Sequence, residues 1–218
     1  MPDPINLSAS LPFYLGAFVI GYLLGSIPFG LLLTRMAGMG DVRNIGSGNI
    51  GATNVLRTGR KDIAAATLLL DAGKGLLAVL LASMFGPATA TFAAIGALVG
   101  HCYPFWLKFK GGKGVATFLG ALIGLSWPHA LLFALVWLAT AAIFKISSLA
   151  ALLAAAVVVL GAFVPSTFFF APHIAEVALV MSALVYWKHR ANIGRLIKGQ
   201  EPRIGAKKDA STADQKTG

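Results

Sequence analysis

Four stretches of this chain, 4–34, 75–107, 114–144 and 146–175, contain no Asp, Glu, Lys or Arg. Each runs for about 30 residues, whereas about 20 predominantly apolar residues carry a helix across the hydrocarbon core of a bilayer. Of the 218 residues, 57% are hydrophobic and 12% charged, against about 25% charged in a soluble domain. A soluble globular enzyme and a disordered chain are therefore excluded, and a lone Cys102 excludes a disulfide-stapled domain. The 18 Lys+Arg against 8 Asp+Glu, a net +10, do not imply nucleic acid, because a DNA-binding domain has no use for so much apolar sequence. The expectation is an all-α integral membrane protein.

Turn residues divide the long stretches. Gly86-Pro87, Trp127-Pro128, and Pro165 with Pro172 mark breaks. Seven spans follow, at about 11–34, 63–85, 88–107, 114–127, 129–144, 147–165 and 173–187. A five-span alternative would strand Lys145 outside and demand one overlong helix from 146 to 187. With seven spans and an outside N-terminus, the 35–61 loop carries five basic residues, 108–113 three, position 145 one and 188–218 eight. All fall on the inner side, with Lys74 alone inside a span, as the positive-inside rule requires. No cationic region precedes the first apolar run, so it reads as a span and not as a removed signal peptide. Residues 1–204 are expected to form one polytopic domain, and 205–218 a disordered cytoplasmic tail.

Three polar clusters gather on that inner side. The first runs from Gly40 to Arg57, and its Gly46-x-Gly48-x-x-Gly51 formally matches a dinucleotide fingerprint. No strand precedes it, so a Rossmann reading fails. Closely spaced glycines can still turn successive N–H groups toward one anion. Ser47, Asn49, Thr53 and Asn54 add neutral donors, and Arg43 and Arg57 add guanidinium forks suited to phosphate. The second cluster, Asp71-Ala72-Gly73-Lys74-Gly75, lies within a span, where ionisable groups cost about 3 kcal/mol each and mark functional sites or internal ion pairs. Asp71 and Lys74, three residues apart on one helix face, can pair. The third cluster spans His101 to Gly114, with Lys113 among Gly111, Gly112 and Gly114 at the start of a helix whose dipole favours an anion. It is not a Walker A loop, since Gly114 follows the lysine where Ser or Thr would stand. After the last span, His189 and Asn192 share a face of a basic, interfacial helix.

These strings together, with Gly25-Ser26-Ile27-Pro28-Phe29-Gly30 ahead of them and Phe109-Lys110-Gly111-Gly112-Lys113-Gly114-Val115-Ala116-Thr117 closing the third, resemble the bacterial acyl-phosphate:glycerol-3-phosphate acyltransferase family (PlsY), from about residue 12 to 204. The resemblance implies transfer of a long-chain acyl group from acyl phosphate to the sn-1 hydroxyl of glycerol 3-phosphate. The products would be lysophosphatidic acid and inorganic phosphate, the first acylation of phospholipid synthesis. It places the chain in the bacterial inner membrane with a site facing the cytoplasm, no cofactor or metal, no nucleic acid, and an acyl-phosphate-forming enzyme upstream. Ser47, Arg57, His189 and Asn192 take the catalytic roles. Arg43, Gly46, Gly48, Asn49, Gly51, Thr53, Asn54, Asp71, Gly73, Lys74, Gly75, His101, Gly111, Gly112 and Lys113 are candidates for substrate binding, and Glu201 for a structural or cation-orienting role.

The chemistry of the residues agrees with that implication. An acyl phosphate is already activated, so positioning and charge stabilisation suffice. Ser47 would orient a phosphate or the attacking hydroxyl rather than form an acyl-serine, and the proton would pass to His189 or to the departing phosphate. A histidine–aspartate acyltransferase dyad is missing: five residues beyond His101, His129, His173 and His189 stand Trp106, Ala134, Ala178 and Gly194. The rival is a transporter of small anions or phospholipid, which would show paired repeats with matching broken helices.

Overall fold

The computed structural model describes residues 7–164 and 172–205, and every regular element within them is helical. The α-helices are α1 (Leu7–Gly25), α2 (Phe29–Met36), α3 (Ala52–Leu56), α4 (Lys61–Ser83), α5 (Pro87–Cys102), α6 (Val115–Leu125), α7 (Trp127–Phe144), α8 (Ser147–Gly161), α9 (Pro172–Lys188) and α10 (Arg190–Ile197). By length and composition, Ser8–Met36, Lys61–Ser83, Pro87–Leu107 and Trp127–Phe144 suffice to cross a membrane, while α6 and α8 are shorter apolar helices. Their outer sides are as apolar as the core: Leu69, Leu138, Ile143 and Leu160 stand exposed around the bundle. Lipid contact explains that surface, because a soluble protein seldom presents contiguous apolar area on this scale.

The first span departs from its expectation. It is two helices, broken over Ser26–Pro28. Pro28 lacks an N–H and crowds the residue before it, so carbonyls near the break lose their helical partners. Lys74 Nζ donates to the Ile27 carbonyl at 2.7 Å, and Trp106 Nε1 donates to the Ser26 carbonyl at 2.7 Å. In lipid such carbonyls require a protein donor. The fourth span is also shorter than expected. Gly114, at φ +83°, starts α6, and extended backbone at Ser126 ends it just ahead of Pro128 in the first turn of α7. Of the break expected between Pro165 and Pro172, residues 165–171 lie outside the described residues, as does the tail from 206 onward.

Small residues set the helix crossings. A Cβ at Gly21 or Gly25 would run into the carbonyls of Ala93 and Ala97, and one at Gly96 or Gly100 into those of Phe18 and Tyr22. Helices α1 and α5 thus pack backbone to backbone, the close approach that small residues permit in membranes. Likewise α4 and α6 meet through Gly75 against Thr117 and Gly120 against Ala72. Around them Leu98, Phe118, Leu122, Phe133, Val158 and Met181 form the main buried cluster. The break in the first span, and the crossings, bring the polar loops to one end of the bundle.

Candidate active site

The first loop is built around one amide. Asn54, buried in the short helix α3, accepts from the Ser47 backbone N–H at 2.9 Å and shares its two amide hydrogens among the carbonyls of Val42, Ile45 and Asn49 at 2.8–3.0 Å. Ser47 Oγ also donates to its oxygen, at 3.2 Å. Gly46 and Gly48 take the left-handed conformation, with φ +55° and +70°, which costs glycine nothing. A Cβ at Gly46 would collide with Asn54 Oδ1 and the Arg57 stem, so Arg57 lies across the turn that carries Ser47.

The other segments close on this loop. Thr53 Oγ1 and Ser147 Oγ are 3.1 Å apart, tying α3 to the start of α8. Lys113 Nζ donates to Asn192 Oδ1 at 2.5 Å, and the Asn192 amide nitrogen donates to Glu201. Glu201 also accepts from Ser148 Oγ and from Arg195 Nε, both at 2.7 Å, so its carboxylate fixes which way the Asn192 amide faces. The Ile204 N–H donates to the Lys145 carbonyl at 2.6 Å, holding the segment after α10 against the α7–α8 turn. His189 Nδ1 lies 2.8 Å from the Val185 carbonyl. A carbonyl only accepts, so the proton sits on Nδ1 and Nε2 keeps its lone pair.

Between these groups lies a cavity of about 880 Å³. Its polar wall holds Ser47, Asn49, Arg57, Lys113, His189 and Asn192. Its apolar walls come from Leu68 on α4, Leu119 on α6, and Phe133, Trp137 and Leu138 on α7. Leu68 and Leu138 are 46% and 58% exposed, so the apolar side of the cavity reaches the surface at α4 and α7.

Burial sets the charge states here. It pushes Lys113 down to about 8, against the attraction of Glu201 and with the help of the Arg195 and Arg57 cations. His189 is pushed down to about 4 by burial and by the Lys113 charge. Burial alone would raise Glu201, yet the hydrogen bonds from Ser148, Asn192 and Arg195 hold its carboxyl below the usual range.

Twelve of the catalytic and substrate-binding candidates meet at this cavity, and Glu201 with them: Gly46, Ser47, Asn49, Gly51, Thr53, Asn54, Arg57, Asp71, His101, Lys113, His189 and Asn192. Asp71 and His101 do so from within the spans, with His101 Nδ1 3.6 Å from Asp71 Oδ1. Lys74 pairs with Asp71 at 2.6 Å, as their spacing predicts, but spends its remaining reach on the Ile27 carbonyl. Gly75 packs on α6, and Gly73 does not line the cavity. Gly111 and Gly112 give their N–H groups to the Cys102 and His101 carbonyls, capping α5, and a Cβ at Gly112 would strike the His101 ring. Arg43 is bound to Asp41 at 2.6 Å and, with Gly48, lines a separate pocket.

Sequence reasoning missed Ser147 and Ser148. The signal was present: a Ser-Ser pair stands near the start of a charge-free stretch, two residues after Lys145. The apolar wall of Trp137 and Phe133 had no signal, since a span is apolar on every side.

Residues 15–199 match the model of the glycerol-3-phosphate acyltransferase family. The glycerol-3-phosphate acyltransferase of Mesorhizobium japonicum is 64% identical over 191 residues, covering 88% of this chain and 96% of the relative. That of Maricaulis maris is 56% identical over 210 residues, covering 96% and 95%. The crystal structure of PlsY, an integral membrane glycerol 3-phosphate acyltransferase, in its glycerol 3-phosphate form superposes with a TM-score of 0.81 at 39% identity, covering 88% of this chain and 96% of that one. Its lysophosphatidic acid form gives a TM-score of 0.78 at 38% identity, covering 87% and 94%. With that agreement running along nearly its whole length, the chain belongs to the PlsY family of integral membrane glycerol-3-phosphate acyltransferases.

Proposed function

We propose that the protein transfers a long-chain acyl group from acyl phosphate to the sn-1 hydroxyl of glycerol 3-phosphate, releasing lysophosphatidic acid and inorganic phosphate. One observation carries this reading: a single cavity joins a wall of cations and hydrogen-bond donors to an apolar side that reaches the surface at α4 and α7. Both substrates bear phosphate and one bears a long apolar chain, so each half of the cavity has an occupant. A relative of the same fold is known in glycerol 3-phosphate and lysophosphatidic acid forms, which suits the same pair of ligands here.

In this reading Arg57, Lys113 and the turn at 46–51 hold the two phosphates. The sn-1 oxygen attacks the acyl carbonyl carbon, the bond from that carbon to the phosphate oxygen breaks, and the hydroxyl proton ends on the departing phosphate. The phosphate released when that bond breaks carries the electron pair and is a stronger base than a phosphate monoester, whose second ionisation lies near 6. His189 sits at about 4, so the proton goes to phosphate. His189 Nε2 then orients the hydroxyl as a hydrogen-bond acceptor. The Ser47 hydroxyl points to an amide oxygen, which is no base, and this favours an orienting role over an acyl-serine. Glu201 is the positioning residue that turns the Asn192 oxygen toward Lys113. The same reading places seven spans in the bacterial inner membrane, N-terminus outside, with the site on the cytoplasmic side and an acyl-phosphate-forming enzyme supplying the donor.

Purified protein given palmitoyl phosphate and glycerol 3-phosphate is expected to release phosphate and lysophosphatidic acid one to one, with no product from palmitoyl-CoA. Phosphate release that does not require glycerol 3-phosphate, or equal turnover of the thioester, would overturn the proposal.

A further inference from the structure

Beside the catalytic cavity lies a second pocket, of about 530 Å³, lined by Arg43, Lys110, Lys188 and Arg190 together with aromatic rings. We infer that it binds the anionic headgroup of a membrane phospholipid, a role independent of which acyl donor the enzyme uses. Among the described residues no carboxylate lines this pocket, and Asp41, which pairs with the Arg43 of its lining, is committed to Arg43 and Arg35. Lys188 Nζ donates one of its three hydrogens to the Cys102 carbonyl at 2.9 Å and sits 4.4 Å from the centre of the Tyr103 ring. Arg190 lies 5.0 Å from the Trp187 ring and gives a single N–H to the Trp187 carbonyl. Both cations are thereby steered into place with donors to spare, which is what a phosphate diester requires.

The backbone beneath is strained for the purpose. Lys108 and Phe109 follow one another at φ +52° and +60°, a conformation that residues other than Gly rarely adopt singly, let alone in sequence. The Phe109 N–H bonds to the Pro104 carbonyl at 3.0 Å and the Lys110 N–H to the Leu107 carbonyl at 3.1 Å, and these hold the turn. Strain of this kind persists where a site demands it, and its result here is to carry Phe109 and Lys110 to the pocket.

The rings decide between a lipid and a soluble anion. Phe109 and Trp187 are each 60% exposed beside the cations, Phe109 just beyond the span Pro87–Leu107 and Trp187 at the end of α9. Exposed aromatics at a span end sit at the headgroup level of a bilayer, where a phosphate can enter the pocket while its acyl chains run down the outer apolar side. A water-borne phosphate has no use for them. The turn from Gly46 to Asn49 separates the two sites: Gly48 faces this pocket while Ser47 and Asn49 face the cavity.

The test compares wild type, a Lys110→Gln/Arg190→Gln variant and a Lys110→Arg/Arg190→Lys variant in phosphatidylcholine nanodiscs containing a minority of phosphatidylglycerol. Native mass spectrometry counts the lipid retained. Wild type and the charge-preserving variant are expected to prefer phosphatidylglycerol about thirtyfold more than the glutamine variant does, the size of two cationic contacts to an anionic lipid. All three should transfer acyl groups alike in pure phosphatidylcholine, showing that the variants are folded. Equal retention by wild type and the glutamine variant overturns the inference. So does displacement of the lipid by an excess of inorganic phosphate, which would make this a free-phosphate site.

Discussion

Lys113 is placed where its charge can be switched by pH. Its ammonium, held at about 8 by burial, is cationic below that value and loses its charge above it. The KM for glycerol 3-phosphate is therefore expected to rise as pH passes 8. In Lys113→Arg the guanidinium stays charged beyond pH 12, so the rise should vanish; an unchanged pH dependence of KM would remove Lys113 from the clamp. Arg57 has no such switch. Arg57→Ala should lower kcat/KM by about 10²–10³, the size of losing one charge-stabilising donor, measured as phosphate release in detergent. His189 makes a contrasting case. Glutamine keeps an acceptor oxygen, so His189→Gln should slow turnover while leaving the acidic limb of the pH–rate profile in place. A limb that disappears with the imidazole would identify His189 as the base after all. Of these residues, Lys113 and Arg57 are legible from chemistry in sequence. The tautomer of His189 is not, because it depends on a carbonyl one turn away on α9.

At the scale of elements, glycines mark the crossings. Gly21 lies in α1 against the Ala93 backbone, while Gly16 in the same helix has nothing within 4 Å of a would-be Cβ. Gly21→Ala should therefore destabilise the protein by about 1–3 kcal/mol, as overpacking does. Gly16→Ala should be neutral or stabilise by up to about 1 kcal/mol, through helix propensity. Thermal unfolding in detergent reads both, and equal effects would mean that α1 and α5 do not meet as closely as described. The break between α1 and α2 shows how far local sequence reasoning reaches. Pro28 signals a kink, yet the first span reads as continuous from composition, because only a donor from another helix makes a break tolerable in lipid. Trp106 supplies one such donor, to Ser26, and Lys74, 47 residues from Ile27, the other. The lysine's presence inside a span signals importance, and the distance to Ile27 gives the reason.

Across the whole molecule, the net +10 is one-sided. Seventeen of the 18 basic residues fall in the segments assigned to the inner side, and the proposed topology rests on that asymmetry. A reporter active only in the cytoplasm is expected to function when fused after residue 204 and to fail when fused at the N-terminus. Activity at both ends would overturn the odd number of spans. The basic residues also divide by task. Arg57 and Lys113 line the large cavity, Lys110 and Arg190 the pocket beside it, and Arg195 is held by Glu201.

Sequence alone determined that this chain is a helical membrane protein with its polar clusters gathered in a few segments, and it pointed to phosphate as the group to be held. Those follow from local properties: the run length of apolar residues, the placement of charge, and the donors that glycine-rich loops present. Only the tertiary structure decided which polar residues share a site. Arg43 and Arg57 stand in one loop with the same chemistry, yet Asp41 claims the first and the turn at Gly46 delivers the second to Ser47. Likewise, Ser148 and Glu201 lie 53 residues apart and meet at 2.7 Å. Apolar helices carry no periodic mark of which side faces protein and which faces lipid, so the apolar half of the cavity exists only once α4, α6 and α7 have packed.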